Sequence, residues 1–123
     1  MKIKYIPIFA DDPEEQVSFF TDFLGFELAG TKKVLQGQEC TLIKTNNPDI
    51  FIIVIKDVMN EYRRCRIVLN TDDCLNDYHT LKMAGVVFCN EPYYLPMGLG
   101  AEFTDPAGNH YLLIEERCYN SLI

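Results

Sequence analysis

A strand, an acidic helix cap and a glycine stop occur twice in this sequence, and that repetition constrains the fold more than any other feature. The first copy runs from Ile3 to Ala10 as a strand and continues Asp11-Asp12-Pro13-Glu14-Glu15. Asp12 fits a helix N-cap, Pro13 the first helical position and Glu15 the third, a capping-box arrangement. Val17, Phe20 and Leu24 then recur at helical spacing, Phe19 and Phe23 widen the apolar face, and Gly25 ends the helix. The second copy is a strand from Arg66 to Thr71, then Asp72-Asp73, then a stripe of Cys74, Leu75, Tyr78 and Leu81 closed by Gly85. Asp73 stands 61 positions after Asp12, and Gly85 stands 60 after Gly25.

Strand-like segments follow each helix. In the first half they are Phe26 to Ala29, Cys40 to Thr45 and Ile50 to Lys56, with turns at Gly37 and Asn46-Asn47-Pro48. In the second half they are Val86 to Cys89, Ala101 to Thr104 and Tyr111 to Glu115, punctuated by Met97-Gly98-Leu99-Gly100 and Asp105-Pro106-Ala107-Gly108-Asn109. Strand, helix and three strands, twice over, predict an α+β fold. It consists of two βαβββ modules forming curved, mainly antiparallel sheets with outer helices and a concave cleft. The expected organisation is a single domain over 1–123, with module one about 1–60 and module two about 61–123. Pro7 removes a ladder donor from the first strand, which favours a sheet edge or bulge there.

Composition narrows the function classes. The chain carries 11 basic and 18 acidic residues, a net charge of −7, which argues against a nucleic-acid footprint. Its longest apolar run, Ile50 to Ile55, is too short to span a membrane, so neither nucleic acid nor membrane is an expected partner. MKIKYIPIF lacks a small-residue cleavage site and reads as a first strand rather than a signal peptide. The five cysteines, Cys40, Cys65, Cys74, Cys89 and Cys118, are odd in number and without CxxC spacing, so reduced thiols in the cytoplasm are expected. Cys40 and Cys65 read as small buried hydrophobes. Only Cys74 stands near a helix N-terminus, so no catalytic thiolate is expected.

Three segments carry a family resemblance. Phe9-Ala10-Asp11-Asp12 leads into Phe19-Phe20-Thr21-Asp22-Phe23-Leu24-Gly25-Phe26. Asn70-Thr71-Asp72-Asp73 leads into Leu81-Lys82-Met83-Ala84-Gly85-Val86. Phe103-Thr104-Asp105-Pro106-Ala107-Gly108-Asn109 hands over to His110-Tyr111-Leu112-Leu113-Ile114-Glu115. In that order the three resemble the vicinal oxygen chelate superfamily, the glyoxalase/bleomycin resistance protein-like domain. Asp105 and Asn109 read as structural turn residues, with Gly108 supplying a positive φ.

The resemblance implies a divalent cation in the enzymes of that family, held by His, Gln or Glu from the first and last strands of each half. Counted onto this chain, those positions fall on Tyr5, Ile53, Arg66 and Leu112. Two are aliphatic, one is a fixed cation and one is a neutral phenol. A one-residue shift turns every side chain to the other face and offers no better set. His79 on the second helix and His110 on the last strand are not expected to meet. No metal, no cofactor and no catalytic residue is therefore assigned.

Strand alternation instead predicts a mostly apolar cleft. Tyr5, Phe9, Phe51 and Ile53 would line it in the first half, with Pro7 and Ile55 on the same strand faces. Arg66, Asn70, His110 and Leu112 would line it in the second, beside Ile114. Tyr93, Tyr94 and Met97, on the loop after Cys89, would cover its mouth. Arg66 needs an anion: either a protein carboxylate such as Glu102 or Glu39, or a ligand group. The leading expectation is a metal-free binding protein of the bleomycin-resistance type, sequestering a small molecule such as an antibiotic or metabolite as a homodimer. A lyase or thiol transferase of the glyoxalase/fosfomycin-resistance type is the alternative, and a structural or regulatory dimer without ligand is the third.

Overall fold

A computed structural model describes residues 1–35, 37–57 and 65–117. Cys118 lies outside the described residues. The chain divides into two compact units, Met1–Arg64 and Cys65–Ile123. Among the described residues there are nine strands in two sheets, together with two α-helices. The mixed α+β class read from the sequence is the one the structure has.

The first unit begins with β1 (Tyr5–Ala10), which leads into α1 (Pro13–Ser18). Asp12 caps that helix as expected, its carboxylate accepting the Glu15 backbone N–H at 3.2 Å. The helix then widens into a π-helical turn, Phe19–Phe23, closed by Leu24 donating to the Phe19 carbonyl. The sequence gives a reason for the widening. Phe19 and Phe20 are adjacent yet both buried, and a wider turn brings successive positions closer to one face. Phe23, expected on that face, is exposed instead.

Strands β2 (Leu28–Lys33), β3 (Glu39–Lys44) and β4 (Phe51–Lys56) complete the unit. The sheet order is β1-β4-β3-β2, with β1 parallel to β4 and the other pairs antiparallel. Pro7 thus sits on an edge strand, where its missing N–H costs least. The second strand starts later than Phe26 because Phe26 stacks on Phe20 (6.0 Å between ring centres) and donates to the Phe20 carbonyl. On β4, Ile52, Ile53, Val54 and Ile55 are all buried, which explains its unbroken apolar run. The even-numbered residues share a face with Ile8 and Ala10, while Ile53 and Ile55 form a cluster with Cys40 and Leu42 on the opposite one.

The second unit repeats the plan. Strand β5 (Arg66–Asn70) leads to α2 (Cys74–Met83), capped by Asp73, whose carboxylate accepts the Asn76 N–H at 3.1 Å. Strands β6 (Val87–Phe88), β7 (Tyr93–Leu95), β8 (Gly98–Thr104) and β9 (His110–Glu116) follow. The order is β5-β9-β8-β6, with β7 also paired to β8, and β5 is parallel to β9 as β1 is to β4. Cys74 and Tyr78 of α2 are buried, whereas Leu75, expected on the apolar stripe, is 51% exposed. Tyr78, Phe88, Phe103 and Tyr111 form an aromatic column, ending in a parallel stack of Phe103 on Tyr111 at 4.9 Å.

Two sequence expectations are corrected in this unit. Tyr93 and Tyr94 lie on a short strand, not on a loop. Gly98, Leu99 and Gly100 belong to β8 rather than to a turn. Glycine within a strand marks close approach of a neighbour, the backbone of Glu115 at Gly98 and the side chains of Leu95 and Leu112 at Gly100.

Glu115 ties the last strand to the helix. One carboxylate oxygen accepts the Cys74 N–H at 2.9 Å, and the other accepts from Arg117 at 2.8 Å. The Cys74 N–H and then the Arg117 guanidinium hold the Glu115 carboxyl below its usual range. A lowered carboxyl contributes stability that is present above the unfolded pKa, about 4.3, and fades as pH falls through the lower folded value. Chemical denaturation over the acid range is therefore expected to show a loss of stability that Glu115→Gln reduces. An unchanged pH slope in that variant would refute the assignment.

Candidate functional site

The faces opposite the helices carry the predicted site residues, and the two units present different chemistry there. In the first unit the β1–β4 register pairs Tyr5 with Phe51, Pro7 with Ile53 and Phe9 with Ile55, so all six share one face. Tyr5, Phe9 and Phe51 are half-buried and pack on the sealed cluster of Cys40, Leu42, Ile53 and Ile55. Ile53 is thus a floor beneath the aromatic rings rather than an exposed wall.

Polar groups meet this aromatic face at one end. The Lys32 Nζ donates to the Tyr5 hydroxyl oxygen at 3.4 Å, and the Lys4 Nζ lies 5.7 Å from the Tyr5 ring centre. Lys32 is on β2 and Tyr5 on β1, at opposite edges of the sheet and separated by about 14 Å of strand spacing. Their side chains meet only because the sheet curls toward this face. Lys44 stands opposite Phe51 in the β3–β4 register. With Phe51 and the turn residues Thr45, Asn46, Asn47 and Pro48 it lines a pocket of about 290 Å³.

In the second unit Arg66 is opposite His110, Val68 opposite Leu112 and Asn70 opposite Ile114. From β8, Thr104, Glu102 and Gly100 fall on the same face, and Tyr93 from β7 joins them. Tyr93 donates its hydroxyl to Glu102 at 3.0 Å. Burial and then the Glu102 carboxylate push the Tyr93 phenol up, so it stays a neutral donor. Arg66 is exposed and, among the described residues, forms no ion pair. Glu102, the expected protein partner within this unit, accepts instead from Tyr93.

The structure does not bring all the predicted residues of this unit together. Tyr94 pairs with Leu99 and so points to the other side of the sheet from Tyr93, where it lies 69% exposed with the Arg117 guanidinium 5.5 Å from its ring centre. Met97 lies in the turn between β7 and β8 and is exposed. Sequence reasoning does not find Lys4, Lys32 or Lys44. No sequence signal finds Lys32, because its approach to Tyr5 depends on the curl of a whole sheet.

The remaining polar groups are structural. The buried Asp105 carboxylate accepts from the Asn109 backbone N–H (2.9 Å), the Asn109 side-chain amide (3.0 Å) and the Tyr111 hydroxyl. The Asn109 carbonyl oxygen in turn accepts the Cys65 N–H at 2.9 Å, fastening the turn to the start of β5. Burial, and secondarily Asp105, pushes the Cys65 thiol up. Burial likewise raises Cys74, with Glu115 adding to it. Neither cysteine is poised as a thiolate.

These two units, each with a parallel first and last strand and a helix across the connection, match a known architecture. A family model for the glyoxalase/bleomycin resistance protein/dioxygenase superfamily matches residues 2–111. The chain belongs to that superfamily. It is 23% identical over 117 residues to YetH of Bacillus subtilis (strain 168), covering 93% of this chain and 98% of YetH. TnmS3, an antibiotic binding protein from Streptomyces sp. CB03234, superposes with a TM-score of 0.80 at 23% identity, covering 95% of this chain and 97% of TnmS3. A superfamily member from Sphaerobacter thermophilus DSM 20745 superposes at 0.79 with 24% identity, over 94% of this chain and 98% of its own. At these identities the structural likeness is one of fold.

The family resemblance counts the metal ligands onto four side chains of this chain. Ile53 and Leu112 have no donor atom, Arg66 is a permanent cation, and the Tyr5 oxygen is already beside an ammonium group. This donor set does not fit a divalent cation. Among the described residues no three His, Cys, Asp or Glu side chains gather as an alternative. No described helix is long and apolar enough to cross a membrane.

Proposed function

We propose that this superfamily member is a metal-free, cytoplasmic binding protein for small planar or amphipathic molecules, acting as a homodimer. The observation that carries the reading is the face of the first sheet, where Tyr5, Phe9 and Phe51 stand half-buried on a sealed aliphatic bed. Half-exposed rings over a fixed floor suit a flat apolar ligand, and a few polar groups at the edge supply orientation. The fold shared with TnmS3, which is described as antibiotic-binding, supports the same reading. Arg66, Asn70, His110 and the Tyr93–Glu102 pair add a polar lining in the second unit, with Leu112 as its apolar member.

The test is a thermal-shift and calorimetric screen against aromatic and amphipathic compounds. A ligand at 100-fold over its Kd is expected to stabilise the protein by about 2.7 kcal/mol. Metal analysis runs alongside, with the chelator-treated protein expected to keep both its melting temperature and its ligand affinity. Stoichiometric tightly held metal would overturn the reading in favour of a lyase or thiol transferase. Failure of every compound to stabilise the protein would leave the structural or regulatory dimer.

A further inference from the structure

The geometry points to a specific ligand class for the first unit: a planar aromatic anion, its ring against Phe51 and Tyr5 and its carboxylate or phenolate at Lys32 and the Tyr5 hydroxyl. This rests on the reading of the chain as a small-molecule binder and deepens it. The chain as a whole carries a charge of −7, so its long-range field repels anions. Two ammonium groups nevertheless stand at Tyr5, one ring of an aromatic pair with Phe51 whose ring centres lie 6.3 Å apart. Lys32 is at 3.4 Å from the Tyr5 oxygen and Lys4 is over the Tyr5 ring, while Lys44 is opposite Phe51 in the strand register. A negative group at this place would be attracted by both ammonium groups at once. Glu27 answers Lys44 at 3.4 Å, but both partners are exposed, a weak arrangement that a ligand can exchange. Among the described residues Lys4 and Lys32 have no carboxylate partner.

The hydrogen-bond pattern at Tyr5 gives the direction of binding. Lys32 donates to the Tyr5 oxygen, so the hydroxyl uses an acceptor site there and keeps its own proton to donate. An ammonium and a phenol O–H side by side form a pair of donors suited to the two oxygens of a carboxylate, and hydrogen bonds to an ionised acceptor are the strong kind. Phe51 is also open on the side of the 45–48 turn, where it lines a pocket of about 290 Å³ with Lys44. A ring on Phe51 would leave its anionic group within the reach of the lysines.

The experiment compares three naphthalene probes of matched shape by titration calorimetry with the intact chain: 2-naphthoate, 2-naphthalenemethanol and 2-naphthylmethylammonium. Naphthoate is expected to bind about 10-fold tighter than the alcohol, with the ammonium compound weakest and the preference shrinking as salt rises. Lys32→Gln, a change at an exposed side chain, is expected to remove most of that preference, lowering naphthoate affinity several-fold more than that of the alcohol. Tyr5→Phe is expected to remove part of it. Equal binding of naphthoate and alcohol would overturn the anion assignment, as would an equal loss of both in Lys32→Gln, while leaving small-molecule binding intact. If none of the three binds, the aromatic subsite is refuted. Silence across the wider compound screen as well would refute the binding function itself.

Discussion

Asp105→Ala is expected to destabilise the protein by roughly 3–5 kcal/mol, a large share of the 5–15 kcal/mol that holds a domain of this kind together. The reason lies in what the carboxylate serves. It is buried, and it accepts from the Asn109 backbone N–H, the Asn109 amide and the Tyr111 hydroxyl. Truncation leaves three buried donors without that acceptor, and each unpaired donor costs about 1–3 kcal/mol before relaxation. The loss also spreads. Asn109 positions its carbonyl for the Cys65 N–H, and Cys65 in turn accepts from the His110 N–H at 3.0 Å, so one carboxylate aligns the starts of β5 and β9. A fall in melting temperature of about 10–20 °C is the expected reading. Tyr111→Phe removes only one donor from the group and should cost about 1–2 kcal/mol. If Asp105→Ala proves no worse than Tyr111→Phe, the turn is not the clamp described.

Gly98→Ala is the second large effect, expected at roughly 3–5 kcal/mol by denaturant titration. A Cβ at Gly98 would stand 2.0 Å from the Glu115 carbonyl oxygen and 3.1 Å from the Arg117 nitrogen, both backbone atoms with nowhere to go. Its φ of +149° adds strain for any L side chain. The displaced residue, Glu115, is the one whose side chain holds the Cys74 N–H, so the helix start would move too. Gly100→Ala gives the contrast. There the nearest atoms are the ends of Leu95 at 2.8 Å and Leu112 at 3.1 Å, which can swing aside, and about 1 kcal/mol is expected. Equal costs for the two substitutions would argue against a backbone clash at Gly98.

The same two positions show where sequence reasoning ran short. Met97-Gly98-Leu99-Gly100 reads as a turn because glycine is the usual turn residue. In the structure both glycines are strand residues, spared a side chain because β9 and the β7 side chains come so close. The Tyr93–Leu95 strand was equally illegible. Three residues between Pro92 and Pro96 are too few to show a period of two, and only their pairing with β8 makes them a strand. That pairing also separates Tyr93 from Tyr94, which a loop would have left together.

Local chemistry was readable directly from the sequence. The caps at Asp12 and Asp73, the positive-φ stops at Gly25 and Gly85 and the edge position of Pro7 follow from side-chain and backbone preferences acting over a few residues. So do the two-copy order of elements and the structural character of the Asp105–Asn109 turn. The residue types at Tyr5, Ile53, Arg66 and Leu112, and hence the absence of a fitting donor set there, were equally legible, because strand alternation fixes faces by counting. What only the tertiary structure decided is long-range: the seal over Ile53, the bond from Tyr93 that Glu102 accepts, and the curl that carries Lys32 across to Tyr5. Those depend on how four strands bend together. The sequence alone thus carried the family and the residue types at the four counted positions, while the folded sheet decided which charges stand at its aromatic face.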